Sequence, residues 1–173
     1  MLRFMLFLLV VWSATSMTLF NLQSLTKQNG AMCMDGSPYG IYTYLPDPQD
    51  FKVIANKVLI FFDFAPYGWC HEQNDSSTIE HCYKFISEDN LKDYGSSENW
   101  GNNFFFLNGM LSIGGGGYFT NWPKVFLKSC DGGSYLGNHD AVSYKKHKMY
   151  FRGSQNIKEA VTYLNKINFL KNR

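Results

Sequence analysis

Four cysteines are the residues of this chain whose type and spacing most clearly point to chemistry. They are Cys33, Cys70, Cys82 and Cys130, separated by 37, 12 and 48 residues. Structural zinc sites normally use cysteine pairs roughly two to four residues apart, so these spacings predict no metal site, and no organic cofactor is expected. An even number of cysteines in an oxidising compartment instead indicates two disulfides. Spacing alone leaves all three pairings open.

Serine-based ester hydrolysis needs a nucleophilic serine, a histidine that moves its proton and an acid that orients the histidine. The sequence contains no Gly-x-Ser-x-Gly elbow, and the nearest approach, Gly132-Gly133-Ser134-Tyr135-Leu136, lacks the final glycine. We interpret Ser134 as a loop residue. The four histidines are interpreted as surface residues rather than bases: His71, His81, His139 and His147. No catalytic residue is therefore assigned within the chain.

The segment Pro66-Tyr67-Gly68-Trp69-Cys70 follows the strongest predicted strand, residues 57–64. A glycine loop at the carboxyl end of a buried strand is where hydrolases of α/β type place backbone N–H groups for an oxyanion. Glycine permits the sharp turn and the close approach of the backbone to a ligand. Taken alone, the segment favours a plain turn pinned by a disulfide at Cys70 over an oxyanion loop.

The first 16 residues predict a secretory signal peptide. Arg3 supplies the positive start, Phe4–Trp12 form a nine-residue apolar core, and small residues follow before Met17. The core is shorter than the roughly 20 residues that span a bilayer, and an uncleaved short anchor is the alternative. We therefore expect a secreted mature domain, residues 17–173, without membrane attachment. Asn74, in the sequon Asn74-Asp75-Ser76, is then a candidate for glycosylation.

The net charge does not indicate a class of binding partner, because 16 basic and 14 acidic residues leave only +2. The one basic cluster, residues 145–148, predicts a solvated turn rather than a nucleic-acid interface. Aromatic residues make up 17% of the chain. They are compatible with a sugar-binding surface and equally with a β-rich core.

The order of predicted strands and helices indicates an α/β layered fold. Strands are predicted at residues 41–45, 57–64, 124–128 and 149–152, and a short helix around 78–86. The continuous apolar run at 57–64 is typical of a strand buried on both faces of a parallel or mixed sheet. A second helix is predicted at 154–168, capped by Ser154. Its apolar stripe consists of Ile157, Ala160, Val161, Leu164 and Ile167.

Eight short motifs, in order over residues 31–165, together resemble the pattern of the pectin acetylesterase/Notum family. They are Cys33-Met-Asp-Gly-Ser-Pro38, Gly68-Trp-Cys70, Cys82, Gly95-Ser-Ser97, Gly109-Met-Leu-Ser112, Asn121-Trp122, Ser129-Cys-Asp-Gly132 and Phe151-Arg-Gly153. The resemblance implies a secreted serine carboxylesterase that acts on an acylated polysaccharide or glycoprotein. It also implies an α/β-hydrolase fold and the disulfides Cys33–Cys130 and Cys70–Cys82.

In this family the nucleophile lies one strand beyond the helix that follows Phe-Arg-Gly. The expected architecture is therefore the N-terminal half of an α/β-hydrolase-like sheet, ending before the nucleophile strand, and inactive by itself. The oxyanion loop also departs from the family, since Pro66 has no N–H and Tyr67 resists positive φ. Gly68 alone matches, as an oxyanion-hole candidate. The alternatives are a non-catalytic secreted glycan- or protein-binding paralogue and a truncated gene product.

Overall fold

The structure is a computed structural model that describes residues 17–21, 30–45, 57–63, 78–104, 109–112, 117–167 and 169. The predicted signal peptide, Gly68, Cys70, His71 and Asn74 lie outside the described residues. The described part combines a mixed sheet with helices, as the α/β prediction requires.

The main sheet has five strands in the order β3-β5-β2-β1-β4. They are β1 (Met17–Asn21), β2 (Gly40–Tyr44), β3 (Leu59–Phe62), β4 (Asn103–Phe104) and β5 (Lys124–Leu127). The pair β3–β5 is parallel, and the other pairs are antiparallel. The predictions of β2, β3 and β5 are confirmed, whereas β1 and β4 were not predicted.

Strand β5, which lies between β3 and β2, is buried at all four of its residues, and Tyr42 of β2 lies opposite its Phe126. Strand β3 behaves differently. It pairs only with β5 among the described strands, and its side chains alternate, with Ile60 37% and Phe62 47% exposed. The prediction that this strand is buried on both faces is therefore wrong within the described structure, because successive side chains point to opposite faces and the described residues leave the face of Ile60 and Phe62 partly uncovered.

A separate two-stranded hairpin consists of β6 (His139–Tyr144) and β7 (His147–Phe151). The predicted strand near residues 149–152 is confirmed as β7, and β6 was not predicted. The predicted basic turn is also confirmed, at Lys145 and Lys146. Both lysines have left-handed backbone angles, φ 45° and 70°, which match the twist that a two-residue hairpin turn requires.

Two α-helices lie within the described ranges, α1 (Thr78–Ser87) and α2 (Gly153–Lys166). Both were predicted within two residues of their ends. The predicted cap of α2 is wrong, because Arg152 is the N-cap residue and no side chain caps the helix. Ser154 lies inside the first turn, where its Oγ donates to the carbonyl of Gly137 at 3.2 Å. No helix in the described ranges is long and apolar enough to cross a membrane.

The apolar stripe predicted for α2 is correct only in part. Ala160 and Leu164 are buried, but Val161 is 40% and Ile167 43% exposed. The buried face instead includes Asn156, whose Nδ2 donates to the carbonyl of Met32 at 3.0 Å. Asn156 can lie in this buried face because its side-chain N–H has a backbone acceptor. The apolar pattern alone could not indicate this bond.

A disulfide joins Cys33 to Cys130, 97 residues apart in sequence, as the family resemblance implies. Both half-cystines are buried in the main core, beside residues of β2, β5 and α2. Cys82 of α1 is also disulfide-bonded. Its expected partner, Cys70, lies outside the described residues.

Candidate functional site

The carboxyl ends of the parallel strands β3 and β5 meet at one edge of the sheet, since Phe62 pairs with Leu127. Asp63 follows β3 directly, and its N–H donates to the carbonyl of Leu127 at 2.8 Å. Ser129 and Asp131 follow β5. In open α/β sheets, ligands bind in the crevice beyond the carboxyl ends of the strands. We therefore take this edge as the candidate site.

Asp131 carries a buried carboxylate, 1% exposed, and neither oxygen makes a hydrogen bond of good geometry. Burial raises the pKa of Asp131, and the nearby N–H groups of Gly133, Tyr135 and Gly153 partly oppose that rise. Gly153 is the first residue of α2, so the carboxylate lies at the positive end of a helix dipole. The groups that favour the charged form of Asp131 are thus backbone N–H groups, and none of the ion pairs among the described residues includes it.

Two buried tyrosines lie near this carboxylate. Tyr39 is fully buried, and its hydroxyl has no hydrogen-bond partner in the described structure. Burial raises the pKa of Tyr39, and the charges of Asp131 and Asp63 raise it further. The hydroxyl of Tyr135 donates to the carbonyl of Leu127, and burial raises its pKa as well. Both phenols therefore stay neutral at physiological pH.

Asp63 and Lys128 form the more polar side of the site. Burial raises the pKa of Asp63, while the Lys128 ammonium and the backbone N–H of Ser129 lower it. Burial lowers the pKa of Lys128, and the charges of Asp93 and Asp63 oppose this. The Lys128 Nζ is 3.9 Å from an Asp93 oxygen and 4.9 Å from the centre of the Trp100 ring. These groups set the local charge at the edge, and beside them the buried Ser129 hydroxyl makes no hydrogen bond to another described residue.

The first motif, residues 33–38, is bound to the Gly-Ser-Ser motif, residues 95–97. The Ser37 Oγ donates to Asp35 Oδ1 at 2.5 Å and accepts the N–H of Ser97 at 2.9 Å. The Ser97 Oγ in turn donates to the carbonyl of Pro38 at 2.6 Å. Two segments about 60 residues apart are thereby joined through serine hydroxyls, which explains why both motifs contain serine.

The same loop also connects to the other motifs of this edge. The N–H of Met34 donates to the carbonyl of Cys130 at 2.8 Å, and the N–H of Tyr150 donates to the carbonyl of Met34 at 2.8 Å. Gly36 has a φ of +89°, and a Cβ added there would lie 3.0 Å from the Tyr150 ring. The conformation and the space at this position both call for glycine.

The described residues do not form a Ser-His-Asp triad. Ser134 lies in a turn with a φ of 49°, as its interpretation as a loop residue requires. His139 and His147 are exposed. His81 is half-buried, so its assignment to the surface is wrong in part; its Nδ1 is buried without a partner in the described structure. Its ring contacts Phe85 at 5.7 Å.

No group of three or more His, Cys, Asp or Glu side chains in the described ranges could hold a metal ion. The described part of the carboxyl edge brings neutral tyrosine hydroxyls together with the carboxylates of Asp63 and Asp131.

Sequence reasoning missed Asp63, Asp131, Tyr39 and Tyr135 as residues of this edge. Asp131 is part of the Cys-Asp-Gly motif, and Asp63 is the one acidic residue in the predicted strand 57–64, so the sequence carried a signal for both. Tyr39 gave no signal, because buried tyrosines are common in ordinary cores.

Comparison with known proteins shows that most of the chain is similar to one family. The family model described as Pectinacetylesterase matches residues 13–173. Pectin acetylesterase 5 of Arabidopsis thaliana is 29% identical over 151 residues, covering 86% of this chain and 31% of the relative. Pectin acetylesterase 4 of the same plant is 30% identical over 142 residues, covering 81% and 30%. The chain spans about a third of the length of these curated relatives.

Two crystal forms of the Wnt deacylase Notum from Drosophila are similar in structure. One has a TM-score of 0.60 at 17% identity, covering 88% of this chain and 39% of that one. The other has a TM-score of 0.61 at 18% identity, covering 89% and 38%. At these identities the likeness shows the shared fold.

Proposed function

The chain belongs to the pectinacetylesterase family, and from that premise we propose that it forms part of a secreted serine carboxylesterase. The reaction is removal of O-acetyl groups from a polysaccharide or glycoprotein. The observation that carries the proposal is the family match over residues 13–173. The parallel pair β3–β5 supports it, because its carboxyl ends lie together at one edge.

In this proposal the chain supplies the scaffold and an oxyanion donor. Gly68 follows β3 and Asp63 by a few residues, and its backbone N–H donates to the oxygen of the acyl group as negative charge develops there. A disulfide between Cys70 and Cys82 fixes the segment to α1. The attacking serine, its histidine and its acid come from outside these 173 residues, since the sequence contains no serine elbow.

The 173 residues alone are therefore inactive, which an assay with p-nitrophenyl acetate tests. We expect the chain to show no esterase turnover. Turnover that a serine-directed phosphonate abolishes would contradict this part of the proposal. The esterase role is tested with the open reading frame extended past the codon for Arg173. A Gly-x-Ser-x-Gly segment and acetate release from acetylated pectin are expected. An extended frame that releases no acetate from acetylated pectin or acetylated glycoprotein would refute the role.

A second candidate is a non-catalytic secreted binding protein, favoured by the sequence Pro66-Tyr67 where the family has glycines. Proline has no N–H, and loss of one oxyanion donor lowers kcat by about 10²–10³. A glycan array together with the acetate assay separates the two. Specific glycan binding by the extended frame without hydrolysis would favour this candidate.

Secretion belongs to the proposal as well. The apolar run Phe4–Trp12 and the small residues before Met17 support a signal peptide that is removed before Met17. Sequencing the amino end of the secreted product should give Met17, and peptide-N-glycosidase should reduce its mass if Asn74 carries a glycan. An intact amino end on secreted protein would contradict the signal peptide.

A further inference from the structure

A fully buried lysine stands at the amino end of β5. Lys124 is the first residue of that strand and has no exposed surface, whereas the candidate site lies beyond the strand's last residue. Lysine is almost never fully buried, because its charge is costly to remove from water unless the ammonium has partners. The partners of this ammonium therefore explain why a lysine lies here.

The Lys124 ammonium is bound by the backbone of one turn, residues 117–122, which we name the aromatic turn. Its Nζ donates to the carbonyls of Phe119, Thr120 and Trp122 at 2.7, 2.8 and 3.0 Å. An ammonium has three N–H groups. Each of them therefore has a carbonyl acceptor, and all the acceptors belong to the same turn.

The aromatic turn forms one wall of a groove of about 330 Å³. The residues that line the groove come from this turn and from the preceding family motif, and they include Met110, Ser112, Tyr118, Phe119 and Thr120. The Phe119 ring packs edge to face on that of Trp122, with their centres 5.0 Å apart. The shape of the groove thus depends on the turn, and one buried side chain holds the backbone of that turn.

The groups that face Lys124 from the neighbouring strands are a phenol ring and an aliphatic side chain. Tyr44 of β2 lies opposite Lys124, with its ring centre 5.0 Å from the Nζ, and Leu59 of β3 lies opposite it on the other side. The Lys57 ammonium lies over the aromatic turn, 6.0 Å from the centre of the Tyr118 ring, and carries the same charge as Lys124. Burial lowers the pKa of Lys124 from 10.5 to about 8, because the charged form loses its hydration.

We propose that the proton on Lys124 is a switch that holds the aromatic turn on β5 and thereby fixes one wall of the groove. A neutral amine has two N–H groups instead of three, so loss of the proton to solvent leaves one of the carbonyls without its donor. Hydrogen bonds from a charged donor are about twice as strong as neutral ones, so the two remaining bonds weaken as well. The attraction between the charge and the Tyr44 ring is also lost. The turn is therefore rigid in acidic and neutral solution and loosens in alkaline solution.

Hydrogen exchange of the purified chain, measured below and above the Lys124 pKa of about 8, tests the proposal. The N–H groups of Thr120 and Trp122 report on the turn, because they donate to the carbonyls of Gly117 and Phe119 at 3.0 and 3.1 Å. Their protection factors, which already correct for the ordinary rise of exchange with pH, should fall about tenfold. Nitrogen NMR of lysine-labelled protein should show Lys124 losing its proton with the same midpoint.

Lys124→Arg is the matched variant, because a guanidinium has five N–H donors and keeps its charge over the whole range. Its turn amides should keep their protection in alkaline solution. Lys124→Met has no donor, and protection of the turn should be low at every pH. Lys145→Met controls for the loss of a lysine beside aromatic rings. Its Nζ is 5.3 Å from the centre of the Tyr83 ring and pairs with Glu80, so this variant should respond to pH as the native chain does.

Turn amides whose protection stays constant while Lys124 loses its proton would overturn the proposal. An equal fall of protection in folded Lys124→Arg would overturn it too, as would a Lys124 that keeps its proton throughout the range. The N–H of Asp63, which donates to Leu127 at the other end of the parallel pair, is the internal reference. A parallel loss of protection there would mean that the whole sheet opens, which is also incompatible with a local switch. If Lys124→Arg does not fold, the native titration decides alone. The test uses no ester, so its outcome is independent of the proposed esterase function.

Discussion

The carboxylate of Asp131 occupies the space that a side chain on Gly153 would need. A Cβ at Gly153 would overlap an Asp131 oxygen and would lie 2.5 Å from the Cα of Tyr135. The Cys-Asp-Gly and Phe-Arg-Gly motifs are therefore two halves of one contact, in which a buried carboxylate lies against the first residue of α2. The missing side chain lets the helix start approach this closely.

Gly153→Ala should lower the melting temperature markedly, because backbone as well as carboxylate must move to admit the methyl group. We expect a loss of about 2–3 kcal/mol, or roughly 4–12 °C for a domain of this size. Gly101→Ala is the control, since a Cβ there meets only the carbonyl of Asn103 at an ordinary 3.5 Å. Equal melting temperatures for the two variants in a calorimetric scan would contradict the packing described.

Ser37→Ala should destabilise the protein by about 1–3 kcal/mol, because it leaves the Ser97 N–H and the Asp35 carboxylate without their shared partner. Urea titration measures the effect. Ser154→Ala removes a longer bond of an exposed hydroxyl, 3.2 Å to Gly137, and should change stability by less than about 0.5 kcal/mol. If both variants unfold at the same urea concentration, the hydroxyl link between the two motifs contributes little.

Peptide mapping under non-reducing conditions should recover Cys33 linked to Cys130, the pair present in the structure. It should also recover Cys82 linked to Cys70, which remains a prediction from the family resemblance. Removing the first bridge with Cys33→Ser and Cys130→Ser together should cost about 2–5 kcal/mol, because the bridge closes a long loop. Recovery of Cys33 attached to Cys82 would be incompatible with the fold.

Stability above neutral pH should depend on Lys124. Burial lowers its pKa from 10.5 to about 8, so on raising the pH the folded protein loses this proton before the unfolded chain does. Between these two values the unfolded state binds more protons, and the Lys124 contribution to the free energy of unfolding rises with pH. Lys124→Met should remove this contribution. Urea titrations of both proteins across the window should show a more positive slope for the native chain, and parallel slopes would contradict the shift.

Local sequence patterns predicted those strands and helices whose formation depends mainly on their own residues. The short apolar segment Val125–Leu127 of β5 and the helical periodicity of α2 predicted both elements within two residues of their ends. The edge position of β3 could not be read in this way, because its apolar run is the same whether one neighbour or two are present. The burial of Asn156 depended on the carbonyl of Met32, 124 residues away. The candidate edge was missed for the same reason, since Tyr39 and Asp131 meet only after the chain has folded.

The strand order β3-β5-β2-β1-β4 has a consequence for folding during synthesis. β5 is the last strand of this sheet to leave the ribosome, and it lies between β2 and β3. Neither of these strands can complete its pairing in the sheet until Leu127 has emerged, and Cys33 must wait three residues longer for Cys130. Until then the nascent chain exposes unpaired strand edges and a free thiol, which makes it prone to aggregation and to wrong disulfide pairing during that interval.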